Sequence, residues 1–230
     1  MFLRTIAALT LTAAPALADP VSGFYVSGHA AISAIDEQKI EDVDTGFGPQ
    51  PGGRLSTDTG YGAGIAAGWG FGNGWRTELE LTYRRANFDL TTAGALKDAA
   101  TDGHYGQTSV FVNALYDFHT VQGPIRPYLG GGVGISRVAW NDTISYVPGE
   151  RVGHDTHDTS PAAQIMVGAS WDVPSAQGLT LSAELRHVRL LDDLSYDGRV
   201  LESRFGSFPI TTNVNETRRT EVLITLRRSF

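Results

Sequence analysis

Apolar and non-apolar positions alternate with a period of two along most of this chain. Phe24, Val26, Ala30 and Ile32 sit between Tyr25, Ser27, His29 and Ser33. Tyr61, Ala63, Ile65, Ala67, Trp69 and Phe71 alternate with Gly62, Gly64, Ala66, Gly68 and Gly70. Trp75, Thr77, Leu79, Leu81 and Tyr83 alternate with Arg76, Glu78, Glu80, Thr82 and Arg84. The habit recurs over residues 109–118, 128–136, 163–172, 179–186 and 221–230. Successive side chains of a strand point to opposite faces, so this alternation predicts strands with one apolar face and one polar or small face. No stretch of comparable length carries a 3.6-residue period. The expected class is all-β, with about eight strands.

The connections give the topology. They run long (36–56), tight (72–74), long (91–105), short (119–124), long (141–159), short (174–178) and long (190–217). Short and long connections therefore sort to opposite ends. An eight-stranded antiparallel up-and-down transmembrane β-barrel has this layout, with short periplasmic turns and four long outer loops. Aromatic residues gather at the short turns: Trp69, Phe71 and Trp75 at the first, Tyr116 and Phe118 at the second, Trp171 at the third, with Phe24 and Phe230 at the same level. They predict an interfacial girdle. Tyr61, Phe88 and Trp140, near the long loops, are the expected second ring. The apolar face carries almost no charge until the far strand tips, where Arg85, Arg137 and Arg189 appear.

Composition narrows the class. No run reaches the roughly 18–20 apolar residues of a transmembrane helix, which leaves barrels untouched because their signal per strand is weak. Residues 1–18 combine Arg4, an apolar run over 6–14 and the small-residue site Ala16-Leu17-Ala18. That is the layout of a signal peptide, cleaved after Ala18, and it leaves residues 19–230 as the barrel. A net charge of −7 with no basic run argues against a nucleic-acid partner. With no cysteine in an exported chain, backbone pairing and packing must hold the fold.

The face opposite the apolar one carries Arg76, Glu78, Glu80, Arg84, Asp117, Glu184, Arg186, Glu221 and Arg227. Eight strands enclose a space just wide enough for side chains to fill. Charges buried there must pair, so a lumenal salt-bridge network is expected; the alternative is a narrow path for small solutes along these charges. The glycine-rich stretch RPYLGGGVGIS, residues 126–136, looks at first like a phosphate-binding turn. Such a turn leads into a helix N-terminus, whereas Val133 and Ile135 continue the strand alternation. Its glycines are expected to make lumenal room for neighbouring Arg and Glu side chains.

These features resemble the small outer-membrane barrels of Gram-negative bacteria, which include the OmpA-like transmembrane domain and the opacity-type surface proteins. The likeness rests on the leader, the alternating strands, RPYLGGGVGI on the fifth strand and the final VLITLRRSF. It implies an outer-membrane location among lipids and lipopolysaccharide. It also implies recognition of the last strand by the barrel assembly machinery, through Phe230, Leu226, Ile224 and Val222. The function implied is that of a structural surface protein supporting envelope integrity, with adhesion to a host or cell-surface ligand through the outer loops. No cofactor, metal or catalytic residue is expected. Lipid A deacylases of similar size use a His-x-Ser pair, but after His187 the second position holds Arg189, which cannot serve as the nucleophile. His154, Asp155, His157 and Asp158 have metal-ligand chemistry but lack further fixed ligands nearby, so a solvated loop is expected.

Overall fold

The computed structural model describes residues 20–230 apart from 37, 47, 94–95, 121–122, 148 and 216, so the expected leader, 1–18, lies outside the described residues. Among the described residues there are twelve strands: β1 (Ser22–Ile35), β2 (Gln38–Asp44), β3 (Pro49–Thr57), β4 (Gly60–Phe71), β5 (Trp75–Ala93), β6 (Leu96–Asp117), β7 (Ile125–Val147), β8 (Glu150–Asp172), β9 (Leu179–Leu190), β10 (Leu194–Glu202), β11 (Phe208–Asn215) and β12 (Arg218–Ser229). All their pairings are antiparallel.

At the end bearing the short turns, the pairings run β1–β4–β5–β6–β7–β8–β9–β12 and return to β1, a closed circuit of eight strands. Farther along, the long strands β5, β6, β7 and β8 continue, while the other four are replaced. There β5 pairs with β3, β3 with β2, β2 with β11, β11 with β10, and β10 with β8. Two closed circuits are thus stacked end to end, a turn-end one and a hairpin-end one. The joints between β1 and β2, β3 and β4, and β9 and β10 contain Asp36, Asp58, Asp192 and Asp193, a residue type that favours turns over ladders. Backbone bonds tie the joints to the wall: Asp36 N–H to Arg218 O at 3.1 Å, Asp58 N–H to Asn87 O at 3.0 Å, and Leu191 N–H to Pro161 O at 2.9 Å.

The wall is inside out relative to a water-soluble protein. At mid-height the outward Ile65, Val133 and Ile165 are 64–66% exposed, whereas the inward Glu80, Arg84 and Glu221 are 1–2% exposed. The first tight turn shows how local chemistry ends a strand: Gly72 and Gly74 take positive φ, and Asn73 Oδ1 accepts the Trp75 N–H at 3.1 Å. The turn-end girdle is formed by exposed Phe24, Trp69, Phe71 and Trp75. Trp75 and Tyr116 meet edge to face at 5.2 Å, and Phe24 and Phe230 stack at 6.0 Å.

Three expectations are corrected. The segments read as four long outer loops are mostly strand: they hold β2 and β3, the far ends of β5 to β8, and β10 and β11. The strand count accordingly rises from eight to twelve, because each hairpin finds a neighbour to pair with. Phe88 and Trp140 do not join an outer ring with Tyr61; they point inward and are 6% and 3% exposed. The glycines do make room, but for more than Arg and Glu. A Cβ at Gly62 would meet Arg84 at 2.2 Å, whereas one at Gly132 would meet Asn113 Oδ1 at 1.9 Å.

Candidate functional site

The inward face of the turn-end circuit is a sequence of linked ion pairs. Nearest the turns, Arg76 Nε lies 3.2 Å from Asp117 and its Nη1 3.4 Å from Glu78. Arg126 Nη2 reaches Asp172, half exposed at the mouth, at 3.1 Å, and Thr180 donates to the same carboxylate at 2.7 Å. Arg227 lies over the Tyr25 ring at 5.5 Å and donates to Thr180 Oγ1 at 3.4 Å.

At mid-height Glu80 is the hub. It accepts from Arg186 at 2.6 Å, Asn113 at 2.7 Å and Gln164 at 3.1 Å, with His29 Nε2 at 3.5 Å. Glu184 takes Arg186 at 2.8 Å and the Tyr128 hydroxyl at 2.7 Å. Higher still, Glu221 is gripped by Arg84 through two bonds of 2.7 and 3.0 Å and is flanked by Arg219. Arg219 also donates to Gln107, which joins Ser109, Ser136 and the Tyr105 hydroxyl.

The sequence-derived positions Arg76, Glu78, Glu80, Arg84, Asp117, Glu184, Arg186, Glu221 and Arg227 thus all lie on the inward face. Arg227 is the one among them with no carboxylate within ion-pair distance among the described residues. Arg126, Arg219, His29, Tyr25, Tyr128, Asn113 and Gln164 share that face, and residue parity was the available signal: Arg219 is two positions from Glu221. Among the described residues of this circuit, six inward arginines (76, 84, 126, 186, 219, 227) face six carboxylates (Glu78, Glu80, Asp117, Asp172, Glu184, Glu221). That balance is how burial is tolerated, since a buried charge is costly unless paired and hydrogen-bonded. The cavity left among His29, Glu80, Tyr128 and Arg186 is about 20 Å³, roughly room for one water.

Above Gln107 the inward face turns apolar. Phe88, Val138, Trp140, Val188, Leu190, Leu194, Tyr196 and Val214 belong to one buried cluster. Trp140 and Tyr196 stack at 4.1 Å, and Phe88 meets Trp140 edge to face at 5.4 Å. Burial pushes the His154 imidazole down to about 4; it packs on Trp140 at 5.3 Å and pairs with Thr212 Oγ1 at 3.0 Å.

The remaining motifs separate. His154 is buried inside while His157 is outward on the same strand, so the two imidazoles cannot converge on a metal. Among the described residues no group of three potential ligands comes together. His187 bonds the Thr220 hydroxyl at 3.2 Å, with no carboxylate in ion-pair reach among the described residues to orient it. Acyl transfer by a hydroxyl needs both a base and its orienting acid.

The family model described as outer membrane protein beta-barrel domain matches residues 5–206. A curated relative named "Outer membrane protein", from Gluconacetobacter diazotrophicus, is 29% identical over 206 residues, covering 82% of this chain and 53% of the relative. The chain therefore spans about half of that relative's length. Among solved structures, OprG from Pseudomonas aeruginosa aligns over 92% of this chain and 99% of its own, at a TM-score of 0.63 and 13% identity. Neisserial surface protein A aligns over 91% and 99%, at 0.50 and 23%. Likeness at such identity is a likeness of fold.

Proposed function

Since the chain belongs to the family of outer-membrane proteins built on a β-barrel domain, we propose that it acts as a sealed, non-enzymatic surface barrel. The turn-end circuit is the membrane-spanning, eight-stranded part, its exposed apolar wall in lipid and its turns in the periplasm. The hairpin-end circuit stands outside the membrane as a folded platform, and its outward polar positions are the surface that meets a ligand on a host or neighbouring cell. Envelope support and adhesion are the roles this arrangement suits. The last strand, with Val222, Ile224 and Leu226 outward and Phe230 against Phe24, supplies the signal for barrel assembly.

The observation that carries this reading is the filled interior. A solute would have to break linked ion pairs around a cavity of about 20 Å³ and then displace the aromatic cluster above them. The test is planar-bilayer recording of the refolded protein. Only baseline current is expected, and sustained unitary conductance steps would overturn the sealed barrel. Unchanged lipid A mass spectra with and without the protein are the companion result, with a shift in acylation deciding for an enzyme.

A further inference from the structure

One charge of the turn-end circuit is left over. Arg227 is 3% exposed, and the charges that act on it are Arg76 and Arg126, which repel it, and Asp117, which Arg76 already holds at 3.2 and 3.3 Å. The inward charges therefore balance in number but not in place. Of the Arg227 N–H groups, one on Nη2 reaches Thr180 Oγ1 at 3.4 Å, and Nε is buried without a partner among the described residues. A buried charge without a counter-charge is costly.

Arg227 lines the cavity of about 20 Å³ together with Arg76, Ser27 and Thr225. Ser27 stands directly opposite Arg227 on β1, and Thr225 is the preceding inward position on β12. Neither hydroxyl has a side-chain hydrogen bond among the described residues. Glu78, Glu80 and Glu184 border the same space, but each is already paired, Glu78 with Arg76 and the other two with Arg186. The unspent groups at this corner are thus one guanidinium and two hydroxyls, all able to donate.

We infer that this cavity holds a monatomic anion, chloride in the first instance, as the counter-ion of Arg227. Size and charge select it. The space suits one water-sized particle, which shuts out sulfate, phosphate and organic acids. Arg76 and Arg227 repel a cation. A water would satisfy the hydroxyls but leave the charge of Arg227 uncompensated. The site does not depend on which end of the barrel faces outward. Conductance tests sealing and halide dependence tests the ion, so either can fail alone.

The experiment is urea unfolding of the refolded chain in vesicles, in sodium chloride, sodium bromide or sodium gluconate. Ionic strength is held equal, so that general screening is constant, and gluconate is too large for the cavity. The heat-dependent gel shift verifies folding of each variant. Both halides should raise the urea midpoint of the native chain by about 0.5 M over gluconate, once they are about 10-fold above their dissociation constant. Arg227→Gln should remove the difference. Ser27→Asp, which sets a carboxylate opposite Arg227, should remove it too, and should keep in gluconate the midpoint that the native chain has in chloride. Equal native midpoints in halide and gluconate overturn the ion and leave the cavity to water. A halide effect that persists in either variant overturns the site. If Arg227→Gln fails to fold, the Ser27→Asp comparison decides.

Discussion

The two stacked circuits share four continuous strands yet hold together by opposite chemistries. Along β5 the inward residues read Arg76, Glu78, Glu80, Thr82, Arg84, then Ala86 and Phe88; along β7 they pass from Ser136 to Val138 and Trp140. With the turn-end circuit placed in lipid, as proposed, its polar groups stay within, where each must find a partner. The hairpin-end circuit has polar outward positions and packs an ordinary apolar core. The solvent on the outside decides which kind of interior a β-wall can have.

That contrast can be broken most severely at Glu221. Replacing it with Leu leaves Arg84 and Arg219 buried without their carboxylate, at a cost of about 3–5 kcal/mol. Urea unfolding in vesicles should show the loss across the whole turn-end circuit. Trp140→Ala should cost about as much, roughly 3–4 kcal/mol, through an emptied site rather than a lost charge. Its damage should stay local, with faster tryptic cleavage at Arg151 and Arg199 while the heat-dependent gel shift persists.

Acid should also act on the hairpin end. His154 is neutral in the fold and its pKa is lowered to about 4, against about 6.5 when unfolded. Protons therefore favour the unfolded form. The contribution is complete above pH 6.5 and is lost as pH falls toward 4, by up to about 3 kcal/mol. Protease resistance of the hairpin circuit, measured from pH 7 to 4.5, should decline, and His154→Gln should flatten the decline. At the turn end, Gly132→Ala forces Asn113 off Gln164 and Glu80, costing about 2 kcal/mol by overpacking; a lowered urea midpoint is the readout. Smallest of all is Arg151→Ala. It breaks the exposed 2.9 Å pair with Glu202 and should change stability by less than about 0.5 kcal/mol, since the hairpin circuit rests on packing.

Much of this was legible from parity. Once Trp75 and Leu79 face lipid, Arg76 and Glu80 must face in, and the inward network follows. Parity also gave Phe88 and Trp140, in phase with Arg84 and Ser136. Reading them by height as a second girdle overlooked that phase. Partner choice was not legible. Nothing in the local sequence says that Glu221 faces Arg84, 137 positions away, because shear and twist set which inward residues meet. The hairpins escaped notice for a physical reason too. Pro49, Pro51, Gly52 and Gly53 are poor strand formers, and β3 exists because β2 and β5 offer it ladders on both sides.

The pairing of β2 with β11 ties the two ends of the chain to a common fate. Neither hairpin can close the outer circuit alone, since β3 leads only to β2 and β10 only to β11. Lengthening one therefore demands a matching change in the other, about 170 residues away. Anyone grafting a new epitope onto this protein would have to transplant the two hairpins as a couple, leaving β5 to β8 as the common rails on which either version runs.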